Sequence, residues 1–285
     1  MARIGELLAT KRTLSFEFFP PKTTNAQMNL GKAVGELQSL APDFVSITYG
    51  AGGSDRHRTG EVVRWMKSST DLVPMAHLTC VGHTRTEVAG LLVDHRRNGV
   101  ENVLALGGDL PANGVAPKSD YHYALDLLHD VAATGSFSVG VAAHPEVHPR
   151  SESRRADREH LATKLQLADF ALTQFFFDVE HYTRLVDEMT ALGVDKPIVP
   201  GIMPITNVRQ VHRMAEMSGA EVPSWLVSRL EMCSTPDQVR RVGIETASQL
   251  CLDLLDVGAP GLHLYTLNSA ATAKEIAVNV DLATV

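Results

Sequence analysis

The 285-residue sequence predicts one α/β domain, a single (β/α)8 TIM barrel spanning residues 1–285. Two observations carry this. Eight short apolar runs recur at intervals of about 30 residues, and helical patterns with their own start and stop signals lie between them. A doubly wound open sheet is the alternative, and the even spacing of eight units disfavours it.

The runs are LSFEFF (14–19), FVSITY (44–49), PMAHLTC (74–80), NVLAL (102–106), FSVGVAA (137–143), ALTQFFF (171–177), PIVPGI (197–202) and GLHLYT (261–266). Each is continuous and rich in β-branched or aromatic residues, as strands buried on both faces require. Between them, Thr84-Arg85-Thr86-Glu87 reads as a capping box before Val88, Leu91 and Leu92, with Gly99 as the stop. Tyr182, Leu185, Met189 and Leu192 form one apolar stripe ending at Gly193. Thr235-Pro236 sets a cap and then a proline at the first helical position, and the pattern runs through Val239, Val242, Leu250 and Leu254 to Gly258. An extra helix is expected near 222–232, and a long loop over 110–120.

Composition limits the function classes. The chain is 44% hydrophobic and 21% charged, with a net charge of −7. That balance disfavours a general nucleic-acid or anionic-membrane binder, which needs a basic face. No run approaches the ~20 apolar residues of a membrane span, and MARIGELLATKR lacks the apolar core of a signal peptide. The expectation is a cytoplasmic protein, monomeric or a small homo-oligomer. Cys80, Cys233 and Cys251 are too few and too scattered for a disulfide framework or a zinc site.

In a barrel, chemistry gathers where strands end. Glu17, Thr48, His77, Asp109, His144, Gln174 and Tyr265 stand at those ends. Glu17 lies among Phe16, Phe18 and Phe19, and a carboxyl so flanked is expected to be desolvated, which suits a general acid. A structural carboxylate paired with a barrel cation is the competing reading. Asp109 follows Gly107-Gly108, where the backbone can approach a flat ligand and two acceptor oxygens can meet an amino-pyrimidinone edge; a plain Gly-Gly-Asp turn explains the same letters. Gln174 precedes Phe175-Phe176-Phe177, which could read a ring edge and stack on it; a core aromatic cluster is the alternative. The glycine-rich Tyr49–Ser54 segment matches neither GxGxxG nor a P-loop. His144-Pro145-Glu146-Val147-His148 has a metal-like spacing, but Pro145 opposes the helix this would need and no third ligand stands out, so no metal is expected.

Taken together, FEFFPPK (16–22), DFVSITYGAGGS (43–54), HLTC (77–80), LALGGDLP (104–111), AAHPEVHP (142–149), TQFFFD (173–178), PGIMPITN (200–207) and LHLYTLN (262–268) resemble the methylenetetrahydrofolate reductase family, in family order and over essentially the whole chain. The resemblance implies a barrel that reduces 5,10-methylenetetrahydrofolate to 5-methyltetrahydrofolate with NADH or NADPH. It implies Glu17 as the acid, with Asp109 binding the pterin edge and tuning the hydride donor. Gln174, Gln210, Phe176 and Tyr265 would lie on the folate side. Thr48, His77, His144, Asp157 and Lys164 would lie around the cofactor. Most members bind FAD, and there the sequence departs. Gly107 stands where an arginine is usual, His144 where a tyrosine is usual, Leu165-Gln166-Leu167-Ala168 replaces a longer glycine-containing run, and Ser269 replaces an arginine. These changes cluster on the flavin side, so the expectation is a flavin-free variant, similar to an actinobacterial branch, in which NADH passes hydride directly to the folate. The rivals are a ping-pong enzyme with FAD, a non-catalytic folate-binding subunit, and a phosphate-binding barrel lyase, whose glycine-rich loop the ends of the last two strands do not match.

Overall fold

The structure, a computed structural model, describes residues 2–49, 56–109 and 118–282. The glycine-rich 50–54 segment and residues 110–117 of the expected long loop lie outside the described residues. A short helix α1 (Ile4–Leu8) precedes β1 (Thr13–Phe18). Strand and helix then alternate: α2 (Thr24–Gln38), β2 (Phe44–Ile47), α3 (Arg56–Ser69), β3 (Pro74–Thr79), α4 (Arg85–Arg97), β4 (Asn102–Leu106), α5 (Ala124–Ala133), β5 (Ser138–Ala143), α6 (Arg154–Leu165), β6 (Phe170–Thr173) and α7 (Val179–Ala191). After them come β7 (Ile198–Val199), β8 (Gly201–Ile202), α8 (Val208–Ser218), α9 (Ser224–Glu231), α10 (Pro236–Asp256), β9 (Gly261–Tyr265) and α11 (Ala270–Asn279).

All the pairings are parallel, in the order β7-β6-β5-β4-β3-β2-β1-β9-β8. Only Pro200 separates β7 from β8, so the two ends of that order meet and the sheet closes into a barrel. The expected seventh strand is therefore two pieces. Proline has no N–H for the ladder, so β7 bonds to β6, β8 bonds to β9, and the Pro200 carbonyl accepts from His263 N at 3.0 Å.

Alternation along each strand divides the barrel into an outside and an inside. Phe16, Phe18, Ile47, Leu78 and Val141 are fully buried between sheet and helices, each contributing roughly 1.5–3 kcal/mol. Inside, at the end where the strands begin, Phe44, Met75, Leu104, Phe170 and Val199 pack beneath Ile4 and Leu8 of α1. That helix is pinned by Asn102 Oδ1 and Ser138 Oγ, which accept from Ile4 N at 2.9 Å and Gly5 N at 3.0 Å. The bottom is thus plugged with hydrocarbon, and polar chemistry is left to the other end.

The helix signals read from sequence are met. Thr84 and Glu87 form a reciprocal capping box, Thr235 and Gln238 form another ahead of Pro236, and Gly99, Gly193 and Gly258 follow their helices with positive φ. Leu192 departs from its expected stripe, ending exposed beyond α7. Among the described residues no helix is long and apolar enough to cross a membrane.

Candidate active site

Register aligns the polar positions. Glu17 lies opposite Ser46 on β2 and Tyr265 on β9, and Ser15 lies opposite His263. Every second residue shares a face, so all five side chains belong to the inner face. Phe16 and Phe18 therefore point the other way, into the sheet–helix core. The expected phenylalanine pocket around Glu17 is replaced by polar partners, because a one-residue step along a strand reverses direction.

Glu17 is buried at 7% exposure. Its Oε2 lies 3.3 Å from Ser46 Oγ, 3.4 Å from His77 Nε2 and 3.5 Å from His263 Nε2. Its backbone carbonyl accepts from Thr266 Oγ1 at 2.6 Å. Burial pushes His77 down to about 4, against the pull of the Glu17 carboxylate, with His263 adding to the fall. His77 is therefore neutral near pH 7, and its Nε2 has no hydrogen-bond partner among the described residues. Tyr265 Oη donates to Thr173 O at 2.8 Å, and burial followed by the Glu17 charge holds that phenol well above its usual range. Tyr265 reaches across because Gly201 has no Cβ; one there would fall against Thr173 O and within 2.6 Å of Tyr265 Oη.

A second polar group sits at the ends of β4, β5 and β6. Asp109 is exposed just past β4, following Gly108, whose φ is +83° and whose Cβ, if present, would lie 2.9 Å from Thr79 Cβ. The tight turn and the available carboxylate thus coexist. His144 and His148 pack edge to face with centroids 4.4 Å apart. Burial, then the charges of His148, Lys164, Arg158 and Arg150, push His144 down to about 3. Lys164 Nζ donates to Ala142 O at 2.8 Å, and burial lowers it to about 8 despite Asp157. An Arg150 nitrogen would lie 3.7 Å from a Cβ at Gly107, so a guanidinium from the β5–α6 loop lies beside the glycine. His148 Nδ1 accepts from Arg150 N at 3.0 Å, and among the described residues no group of three metal-ligating side chains is arranged to hold an ion.

Asp157 and its neighbour Arg158 hold this loop. Asp157 Oδ1 accepts from Ser151 Oγ at 3.1 Å and His148 N at 3.3 Å, and its Oδ2 pairs with Arg158 Nη1 at 2.5 Å. Arg158, 3% exposed, also donates to the carbonyls of His144, Pro145 and Glu146 and to Glu188. Asp157 thereby acts through the loop it organises.

The remaining sequence candidates divide. Thr48 directly follows β2, its N donating to Phe18 O and its carbonyl accepting from Thr59 Oγ1, both at 2.9 Å. Gln210 stands in the first turn of α8, half-buried, its N bonded to Asn207 Oδ1 at 3.1 Å. Gln174 is half-buried where β6 has ended, and its Oε1 turns back to Phe175 N at 3.0 Å. Phe176 is corrected. At 1% exposure it stacks on Tyr182 of α7 with centroids 6.2 Å apart, so it presents no face to a ligand. Phe175 and Phe177 flank it on the other side, packed with Met203 and Ile205, with Tyr265 against them. Ser15, Ser46, His263 and Arg150 were missed. The first three sit two residues from, or opposite, positions already singled out, and strand alternation was the signal.

Comparison with known proteins agrees with this architecture. The family model described as methylenetetrahydrofolate reductase matches residues 3–281. The 5,10-methylenetetrahydrofolate reductase of Salmonella typhimurium is 39% identical over 265 residues, covering 92% of this chain and 88% of that protein. The enzyme of the same name from Pectobacterium carotovorum subsp. carotovorum is 38% identical with the same coverage. Methylenetetrahydrofolate reductase (NADH) 1 of Arabidopsis thaliana is 36% identical over 94% of this chain but only 48% of its own length. Among solved structures, a Clostridium thermocellum protein described as binding two copies of 5-methyl-5,6,7,8-tetrahydrofolic acid superposes with a TM-score of 0.69, covering 99% of both chains at 13% identity, a likeness of fold. With a polar acid-bearing mouth on a closed barrel and a family match over nearly its full length, the chain belongs to the methylenetetrahydrofolate reductase family.

Proposed function

We propose that this protein reduces 5,10-methylenetetrahydrofolate to 5-methyltetrahydrofolate with hydride taken directly from NADH or NADPH, and that Glu17 is the proton donor. The observation that carries the reading is the buried Glu17 carboxyl at the barrel mouth, held by Ser46 and flanked by His77 and His263. It is a carboxyl in an enclosed site, the group and placement that general acid catalysis uses.

The chemistry is balanced by one proton and one hydride. Glu17 protonates the amine nitrogen of the folate's bridge. The carbon–nitrogen bond breaks with its electrons on that nitrogen, and the second nitrogen and the methylene carbon become an iminium. A reduced nicotinamide supplies the hydride that converts this carbon to methyl. Asp109, exposed at the same rim, offers two acceptor oxygens to the donor edge of a pterin. Gln174, Gln210 and Tyr265 are the folate-side candidates, and Thr48 and His77 the candidates beside the donor ring.

The second polar group suits a diphosphate. Lys164 and Arg150 supply cations at the ends of β4–β6, and on the other side of the mouth, beside Glu17, the buried His77 Nε2 has no hydrogen-bond partner among the described residues. That chemistry fits NAD(P)H and would also serve FAD. The flavin-free reading is favoured by Gly107 and by the His144–His148 ring pair standing where the family's arginine and tyrosine are usual. The test combines a visible absorption spectrum of the purified protein with an NADH and methylenetetrahydrofolate assay without added flavin. A colourless protein that forms 5-methyltetrahydrofolate supports direct transfer. Stoichiometric flavin absorbance moves the reading to the ping-pong route, and an inactive chain that still binds folate refutes the reductase role.

A further inference from the structure

Ser15 and His263 are both fully buried beneath Glu17, too deep to touch a ligand. Their contacts nevertheless fix a direction. Ser15 Oγ has one proton and two neighbours, Leu262 O at 3.1 Å and His263 Nδ1 at 2.8 Å. A carbonyl only accepts, so for both contacts to be hydrogen bonds Ser15 donates to Leu262 and Nδ1 carries the imidazole proton. A ring that carries this single proton has a bare Nε2. That nitrogen lies 3.2 Å from Ser46 Oγ, which in turn lies 3.3 Å from Glu17 Oε2. Ser46 also has one proton. If it goes to Nε2, the remaining contact is a hydrogen bond only when Glu17 is the donor.

We propose that Ser46, His263 and Ser15 form a one-way hydrogen-bond chain, ending on the Leu262 carbonyl, that holds the catalytic proton on Glu17, with Ser15 and His263 as positioning residues. The proposal rests on the reading of Glu17 as the acid. Every donor and acceptor along the chain is matched when Glu17 is protonated. Once Glu17 gives its proton away, Ser46 must turn to the carboxylate, and the buried Nε2 loses its donor. Leaving a buried acceptor unmatched is costly, so the chain favours reprotonation. Phe44 stacks on His263, centroids 5.9 Å apart, and fixes the ring plane.

The other groups facing Glu17 are His77 and Tyr265. His77 on β3 stays neutral at neutral pH, because burial holds it down at about 4. Tyr265 on β9 gives its hydroxyl proton to Thr173. The ion-pair contacts of Glu17 among the described residues are with His77 and His263, and none is with a lysine or arginine.

The test is Ser15→Ala, two links from the carboxyl, read by the 13C signal of the Glu17 side-chain carboxyl and by the pH profile of kcat. The signal is assigned by its loss in Glu17→Gln. Ser15→Ala should ionise Glu17 at a pH lower by about one unit, the scale of one hydrogen bond. The alkaline fall of kcat should shift equally, with the folate KM unchanged, and Ser15→Thr should restore both. If Ser15→Ala does not fold, His263→Phe keeps the stack on Phe44 and removes both ring nitrogens, and the same shift is expected. A carboxyl titration that stays put in a folded variant overturns the chain. The carboxyl signal does not depend on turnover, so the two readings fail separately. A normal rate in Glu17→Gln with a shifted carboxyl in Ser15→Ala removes the acid role and leaves the chain. An inactive Glu17→Gln with an unshifted carboxyl does the reverse.

Discussion

The two sides of the barrel mouth are built on different physics. On the side of β1, β2, β3 and β9, Glu17 meets hydroxyls and imidazoles, and the arrangement is governed by hydrogen-bond direction at close to 3 Å. On the side of β4, β5 and β6, Lys164, Arg150 and Arg158 stand among Asp157, Asp109 and Glu188, and burial, followed by the neighbouring charges, lowers His144. Under the proposed function the first side holds the acid and the second the charge of the cofactor. The proposed function puts acid chemistry on one half of the rim and cofactor charge on the other, so each half can be broken without the other.

The largest effect is expected from Glu17→Gln, which keeps shape and hydrogen bonding but removes the acid. Steady-state kinetics should show kcat reduced by about 10²–10⁴, the usual contribution of general acid catalysis, with the Kd for folate changed little. Lys164→Met should spare kcat and raise the KM for NADH by about 10- to 100-fold, through loss of a charge-assisted interaction of about 1.5–3 kcal/mol. If Lys164→Met instead reduced kcat alone, the division between the halves would fail.

The smallest effect concerns acid stability. His77 and His95 are held at about 4 and His144 at about 3, against an ordinary value of 6.5. The unfolded chain therefore binds more protons between these limits. The stability these neutral rings contribute is present above about pH 6.5 and lost as pH falls through about 4. Thermal melts of His95→Leu, on α4 away from the mouth, should show a shallower decline of Tm over that window. An unchanged slope would remove His95 from the account.

Much of this was legible in the letters. The strand runs, the two capping boxes and the glycine stops depend on local spacing, which a single sequence displays. Glu17 was visible as a charge inside an apolar run, though its neighbours were misread. Phe16 and Phe18 are adjacent in sequence and opposite in space, while Ser46 and His263 are 29 and 246 positions away and meet it through register. Register is set by the closed sheet, and no local pattern encodes it. Phe176 failed for a related reason: β6 ends at Thr173, and once the chain leaves the sheet alternation no longer tells which aromatic faces the mouth. The split at Pro200 was written in the sequence, but which neighbour each half would pair with was not. Arg150 beside Gly107 joins two loops, a relation that only folding creates.

The most direct test is single-turnover oxidation of NADH by methylenetetrahydrofolate on Glu17→Gln as a function of pH. The account predicts a slow hydride step whose rate no longer falls toward alkaline pH, because the group that must stay protonated is gone. A near-normal rate that retains the wild-type pH profile would contradict it.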